Sequence, residues 1–201
     1  MEKPYAEACE RNRGPLLEVL LDAFAGCRSV LEIGSGTGQH AVHFAAGLPH
    51  LVWQTSELPV HHAGIRAWLD EAPLPNLRPP LALDVAGDWP PGPYDAAFTA
   101  NTLHIMAWPL VGRFFRGLRG VLSPGAVLAV YGPFNYQGAF TAASNAEFDR
   151  WLKSRDPASG IRDFEAVCVL AAANGFDFVR DVSMPANNRT LVWRRLSESA
   201  A

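Results

Sequence analysis

No stretch of the 201 residues approaches the unbroken apolar length that spans a bilayer, and Met1-Glu2-Lys3-Pro4-Tyr5-Ala6-Glu7 has no apolar core of the signal-peptide kind. The chain is therefore expected in the cytoplasm, without a membrane partner. Cysteine is scarce: Cys9, Cys27 and Cys168 are odd in number, far apart and without a C-x-x-C pair, which argues against a disulfide framework or a cysteine zinc site. An excess of positive charge is missing too. Seventeen Lys and Arg are scattered among 20 Asp and Glu, for a net charge of −3, so a nucleic-acid partner is not expected and a small molecule is the default ligand. With 49% of residues apolar and 18% charged, the length suffices for one well-buried domain and is short for two.

One stretch organises the rest. Val30-Leu31-Glu32-Ile33 runs into Gly34-Ser35-Gly36-Thr37-Gly38-Gln39-His40, and Ala41-Val42-His43-Phe44-Ala45-Ala46 follows at once. This reads as a buried strand, a tight loop and a helix start. Glycine is needed where the backbone takes unusual dihedrals or meets a ligand closely, and such a loop offers the N–H groups of a helix N-terminus to whatever lies above it. A dinucleotide fingerprint reads G-x-G-x-x-G; here the third glycine comes one residue early, at Gly38, with Gln39 behind it. The pattern acid-x-G-x-G-x-G resembles the first motif of the class I S-adenosylmethionine-dependent methyltransferases. That resemblance implies that Glu32 lies near the ligand's ammonium group and that Gly34, Gly36 and Gly38 form its floor; Ser35 and His40 are further cofactor-binding candidates in the same loop, His40 having the simpler reading of a residue that closes it.

Further strands are expected at 51–57, 81–85, 94–100, 126–131, 176–182 and 190–195, the last two as an antiparallel pair because their connector is short. Glu57 ends the chain's second strand, 51–57, 19 residues after Gly38, close to the interval of about 20 residues at which a doubly wound fold places its ribose-binding carboxylate. The proline-rich 73–80 reads as a connector. Asp84 and Val85 close the third strand, where in the methyltransferase pattern an acid accepts from the adenine amine and an apolar residue packs on the ring. Asn101 and His104 follow the fourth strand, where open α/β sheets bind ligands. Residues 1–14 read as a polar arm before a Gly14-Pro15 break, with a helix starting at Pro15 and carrying Leu16, Leu20 and Phe24 inward. Asn12 and Arg13 on that arm either lie at the surface or fold over the cofactor. Residues 132–162 are either a surface loop or a lid whose Phe134, Tyr136 and Phe140 wall a substrate pocket. His40 and His43, three apart, and His61-His62 have no carboxylate or cysteine at ligand spacing, so no metal site is expected.

Set end to end, E-R-N-R-G-P, L-E-I-G-S-G-T-G-Q-H, L-P-N-L-R-P-P-L-A-L-D-V, A-N-T-L-H-I, Y-G-P-F, S-N-A-E-F-D, D-P-A-S-G-I-R-D and M-P-A-N-N resemble the methyltransferase-like 26 family over residues of about 5 to 195. Glu57 stands where that pattern has Asp, and Met106-Ala107 where Ser-Pro precedes Trp108. The resemblance implies an α/β, Rossmann-like class I methyltransferase fold: a seven-stranded, mostly parallel sheet with a C-terminal antiparallel hairpin and helices on both faces. It further implies one S-adenosylmethionine-dependent methyltransferase domain over 1–201, with an N-terminal cap at 1–28 and a substrate-side lid at 132–162, as a monomer or homodimer.

The donor is already activated, so the enzyme mainly aligns a nucleophile and excludes water. His104 is the candidate base, since imidazole titrates in the right range, and it can equally be a packing histidine. Asn101 could orient donor or acceptor, and Tyr131 is a weaker candidate. The expected reaction is methyl transfer to an O, N or S atom of a small molecule, giving S-adenosylhomocysteine. Two other readings stay open: a module that binds the cofactor without turnover, and a nicotinamide oxidoreductase, which Gln39 disfavours. Methylation of nucleic acid is disfavoured by the absence of both a basic face and an N-P-P-Y-type word.

Overall fold

The computed structural model describes residues 3–197. Strand β1 (Ser29–Ile33) is flanked by β2 (Val52–Glu57) and β4 (Tyr94–Ala100), all parallel, and β3 (Leu77–Ala82) and β5 (Leu122–Gly132) extend the parallel run on either side. Then β9 (Asn188–Arg195) pairs antiparallel with both β5 and β8 (Phe176–Met184), giving seven strands in the order β3-β2-β1-β4-β5-β9-β8. A two-residue pair, β6 (Phe134–Asn135) with β7 (Arg162–Asp163), lies apart. This is the expected Rossmann-like methyltransferase sheet with its terminal hairpin.

Side chains alternate across each strand, so both faces must be covered. Val30, Phe98 and Val127 pack against Leu16, Leu20 and Phe24 of α1 (Glu7–Ala23) and against Ala41, Phe44 and Ala45 of α2 (Gln39–Gly47). Their neighbours Leu31, Ile33, Ala97 and Leu128 face the other way. They meet Val111, Phe114, Phe115 and Leu118 of α4 (Trp108–Val121) and Val167 and Ala171 of α6 (Phe164–Ala173). Helix α3 (His62–Glu71) lies between β2 and β3 in sequence, and α5 (Ala143–Arg155) follows the small β6 excursion.

Several boundaries differ from the sequence expectation: β5 begins at Leu122 rather than 126, and β3 ends at Ala82, so Asp84 and Val85 follow the strand rather than close it. The helix does not begin at Pro15: α1 starts at Glu7 and runs through it. The early turns are held by contacts distant in sequence. Gln39 Oε1 accepts from the Ala6 N–H at 2.6 Å and its amide donates to Glu10 at 3.1 Å, while Asn12 is buried against α2. Glu7 and Glu10 also suit the positive end of the helix. The third strand begins at Leu77, inside the presumed connector, and takes in Pro79 and Pro80. Because β3 is the edge of the sheet, a proline whose nitrogen faces outward forfeits no ladder bond, and a register shift between Gln54 and Ser56 leaves both Pro79 and Pro80 without a partner in β2, which accommodates the other.

Candidate functional site: two cavities at the strand ends

The glycine loop closes onto the end of β2. The N–H groups of Gly34 and Ser35 both donate to the Ser56 carbonyl, at 3.1 and 3.0 Å, and the Ser56 hydroxyl donates to the Glu32 carbonyl at 2.6 Å. Gly34, Gly36 and Gly38 all have positive φ, +75°, +56° and +93°, the region where a Cβ is costly. Their surroundings differ. A Cβ on Gly34 would come within 2.7 Å of the Thr102 methyl, one on Gly38 would meet the Ile65 backbone at 3.1 Å, and one on Gly36 would meet nothing within 4 Å. Gly36 is thus bare because it faces open space, and Gly38 because α3 packs on it.

That open space is a cavity of about 450 Å³, of the size that takes small molecules. Gly34, Gly36, Glu57, Asp84, Val85 and Asn101, from four separate stretches of the chain, line it together. Glu57 also locks the loop: its carboxylate accepts from Gly36 N at 3.0 Å and from Leu58 N at 2.8 Å. Asp84 accepts from the Ala86 N–H at 2.8 Å, which fixes the turn after β3.

The acid of the motif points elsewhere. Ile33 lines the cavity, and its predecessor Glu32, on the opposite face of β1, is buried among α1 and α2. There its carboxylate accepts from Trp53 Nε1 at 3.0 Å and from the Ser35 hydroxyl at 2.8 Å. Burial pushes the Glu32 carboxyl up to about 7, against the lowering effect of those two hydrogen bonds, and the nearby Glu57 charge adds to the rise. Glu32 therefore acts on the loop through Ser35.

His40 shares this interior. Its Nε2 donates to Asn12 Oδ1 at 2.6 Å and the Cys9 thiol approaches Nδ1 at 4.0 Å. Burial pulls the imidazole down to about 4, helped by the neighbouring His43 and Arg13 charges. It joins α2 to α1 rather than lining a cavity. Arg13 pairs with Glu10 at 2.7 Å and lines neither cavity, nor do Ser35 and Gly38. Among the described residues no cluster of three or more His, Cys, Asp or Glu could hold a metal ion.

A second cavity, about 630 Å³, adjoins the first and shares Asn101 and Ile105 with it. Asn101 has φ +59°, a conformation asparagine tolerates better than most residues, and its N–H donates to the Tyr131 carbonyl at 2.8 Å. His104, Tyr131 and Asn12 also line this cavity. Burial, with the Arg162 charge second, brings His104 down to about 4, so its ring is neutral at pH 7. Burial raises the Tyr131 hydroxyl, which Asn12 and Asn188 hydrogen-bond, so it remains protonated there.

The segment before β7 buttresses the His104 turn. Gly160 N donates to the His104 carbonyl at 2.8 Å and the Ser159 hydroxyl to that of Ile105 at 3.1 Å. The Arg162 guanidinium donates to the carbonyls of Leu103, Met106 and Ala158. Asp149, itself buried, accepts from Ile161 N at 2.8 Å and pairs with Lys153. Arg162→Ala leaves three carbonyls without their charged donor. It is expected to cost about 2–3 kcal/mol in urea unfolding and, by removing a positive charge, to raise the His104 pKa measured by NMR titration.

Sequence reasoning missed most of the apolar walls. Thr102, Ile105, Met106, Leu110 and Asp156 line the smaller cavity; Phe148, Trp151, Leu152 and the turn 185–188 line the larger. Phe134, Tyr136 and Phe140 are not walls. Phe134 is buried in the core beside α4, the Tyr136 hydroxyl donates to Asp181 at 2.6 Å, and Phe140 faces solvent. The signal that could have found Phe148, Trp151 and Leu152 is their i, i+3, i+4 spacing on α5, a stripe along one side of the helix.

The family model described as protein of unknown function (DUF938) matches residues 3–195. Among solved structures, an O-methyltransferase family protein from Burkholderia thailandensis superposes with a TM-score of 0.83 at 18% identity, over 96% of this chain and 59% of that one. The S-adenosylmethionine-dependent methyltransferase SibL gives 0.81 at 22%, over 94% and 56%, and PigF, solved with SAH, gives 0.78 at 19%, over 90% and 55%. Likeness at this identity establishes the fold. The chain spans between half and three fifths of the length of these structures.

Proposed function

The chain belongs to the DUF938 family, and from that premise and its methyltransferase fold we propose that it is an S-adenosylmethionine-dependent methyltransferase acting on an O, N or S atom of a small molecule. The observation that carries this reading is the convergence of Gly34, Gly36, Glu57, Asp84, Val85 and Asn101 on one cavity at the carboxyl ends of the parallel strands. The resemblance to the methyltransferase-like 26 proteins, action as a monomer or homodimer, and a role in the cytoplasm belong to the same proposal.

The donor fits these residues. When bound, S-adenosylmethionine supplies a methyl group already activated by its sulfonium. Gly36 leaves room for close approach, since a Cβ there would stand in open space. Glu57 has spare lone pairs for two ribose hydroxyls beyond the N–H groups it already accepts. Asp84 accepts from the adenine amine, and Val85 packs on the ring. Glu32, Ser35, Gly38 and His40 hold the loop from behind, and Asn12 and Arg13 steady α1 over it. Residues 1–28 serve as a cap, and 132–162 as the lid of the acceptor side. Asn101 orients the reactants where the two cavities meet. His104 is neutral at pH 7 and so able to accept a proton, but burial brings it to about 4, below the range that suits a base at neutral pH, so it is a weaker base than an ordinary imidazole; Tyr131 contributes a hydrogen bond rather than a base.

The testing experiment is calorimetric titration with S-adenosylmethionine, S-adenosylhomocysteine and NAD. Binding of both adenosyl ligands and not of NAD is expected; NAD binding alone, or no binding, removes the reading. Glu57→Gln places an amide donor against the N–H groups Glu57 now accepts, and is expected to weaken both adenosyl ligands about tenfold in the same titration, about 1.4 kcal/mol.

A further inference from the structure

The two adjoining cavities differ in charge. The smaller is lined by three carboxylates, Glu57, Asp84 and Asp156; the larger by none. The larger cavity's one permanently charged side chain is Arg11, which is exposed and already paired with Glu7 at 3.2 Å. Ile105, Pro133, Phe148, Trp151, Leu152 and Pro185 make the apolar and aromatic part of its wall, and the uncharged Asn12, Asn101, Ser144, Asn145, Asn187 and Asn188 make most of the polar part. The rings of Phe148 and Trp151 are nearly parallel, 16° apart with centroids at 5.7 Å, and the edge of His104 meets Phe148 at 5.3 Å.

Two polar groups on this wall carry no side-chain hydrogen bond within the described residues: the Asn101 amide and the His104 imidazole, whose residue is only 5% exposed. Asn101 is half-buried and His104 buried, and both keep donors and acceptors available to the cavity that they line. Both stand where the cavities meet, Asn101 on the shared wall and His104 beside it, with Nδ1 and Asn101 Oδ1 approaching one point above Gly132 to 3.6 and 3.8 Å.

We propose that the larger cavity is the methyl-acceptor site and that it takes an uncharged, flat aromatic molecule through a hydroxyl group, in preference to ammonium- or carboxylate-bearing molecules. The inference rests on the methyltransferase reading above. An ammonium ion entering this cavity gives up its hydration and finds no carboxylate in return. A carboxylate finds only a solvated, already paired guanidinium, worth little. A flat ring gains contact with the stacked Phe148–Trp151 pair that lines the wall, and about 630 Å³ accommodates two or three fused rings. A hydroxyl both donates and accepts, so it satisfies a neutral imidazole and an amide at once. In the reaction the hydroxyl oxygen bonds to the methyl carbon as the carbon–sulfur bond breaks with its electron pair going to sulfur, and the hydroxyl proton passes to the His104 ring.

The test is calorimetric titration of the protein saturated with S-adenosylhomocysteine, using 2-naphthol and 7-hydroxycoumarin beside their size-matched probes 2-naphthylmethylamine and 2-naphthoate. At least one neutral phenol is expected to bind ten times more tightly than either charged analogue. Trp151→Ala, at a half-exposed position, is expected to lower that affinity about tenfold and to leave S-adenosylhomocysteine affinity unchanged. With S-adenosylmethionine the bound phenol should be converted to its methyl ether. Tighter binding of the amine or the acid, or no phenol binding to protein that does hold S-adenosylhomocysteine, overturns the acceptor class and leaves the methyltransferase reading intact. Failure of S-adenosylhomocysteine itself to bind overturns that reading instead.

Discussion

Gly36→Val protein is expected to keep its sheet and to lose at least about a hundredfold in affinity for S-adenosylmethionine and S-adenosylhomocysteine, about 2.7 kcal/mol by calorimetry. Gly36 has φ +56° and no atom within 4 Å of where a Cβ would stand, so the free protein has room for the new side chain. The cost of a left-handed valine, about 1–2 kcal/mol, falls on the free and bound states alike and appears as a lower melting temperature. The loss of affinity comes from branched methyl groups occupying the cavity edge and from disturbance of the Gly36–Glu57 hydrogen bond. Gly36→Ala should lose less, and Gly38→Val should fail differently. There the added carbon runs into the Ile65 backbone at 3.1 Å, so binding and fold are expected to go together. Wild-type affinity in Gly36→Val would separate the cavity from the cofactor.

Stability of the ligand-free protein is expected to rise between pH 4.5 and 6.5 with a net slope of about 1.4 kcal/mol per pH unit, read from urea unfolding. Folding depresses His40 and His104 from 6.5 to about 4. Each therefore contributes stability that is fully present above pH 6.5 and is lost as pH falls toward 4, because the unfolded chain binds the proton and the folded chain does not. Glu32 acts in the opposite sense. Its folded pKa of about 7 lies above the ordinary 4.5, so its contribution is present below pH 4.5 and is lost as pH rises through 7. Over the shared window two histidines oppose one carboxyl, which leaves one proton's slope, and His43, also depressed by burial, adds to it in the same sense. Glu32→Gln removes the opposing proton and should roughly double the slope. A slope that is flat, or that Glu32→Gln leaves unchanged, would place the protons differently.

The sequence determined by itself what depends on neighbours along the chain. Apolar runs set the parallel strands, the glycine loop set the turn into α2, and Glu57, Asp84 and Asn101, each at or just past the end of a predicted strand, came out on the wall of one cavity. A parallel sheet brings its strand ends together, so residues at those ends converge whatever the details of packing. What only the tertiary structure decided depends on partners far away in sequence. Glu32 and Ile33 are adjacent in a motif, but the two-residue period of the strand sends one to Trp53 and the other to the cavity. Helix α1 runs through Pro15 because Gln39 and His40 hold its first turns, and β3 accepts two adjacent prolines because it lies at the edge and its register with β2 shifts opposite them. Phe148 and Trp151 reach the larger cavity because Asp149, Gly160 and Arg162 tie α5 and its following loop to the His104 turn. None of these pairings leaves a local pattern, since each joins residues that only the packing of the folded chain brings together.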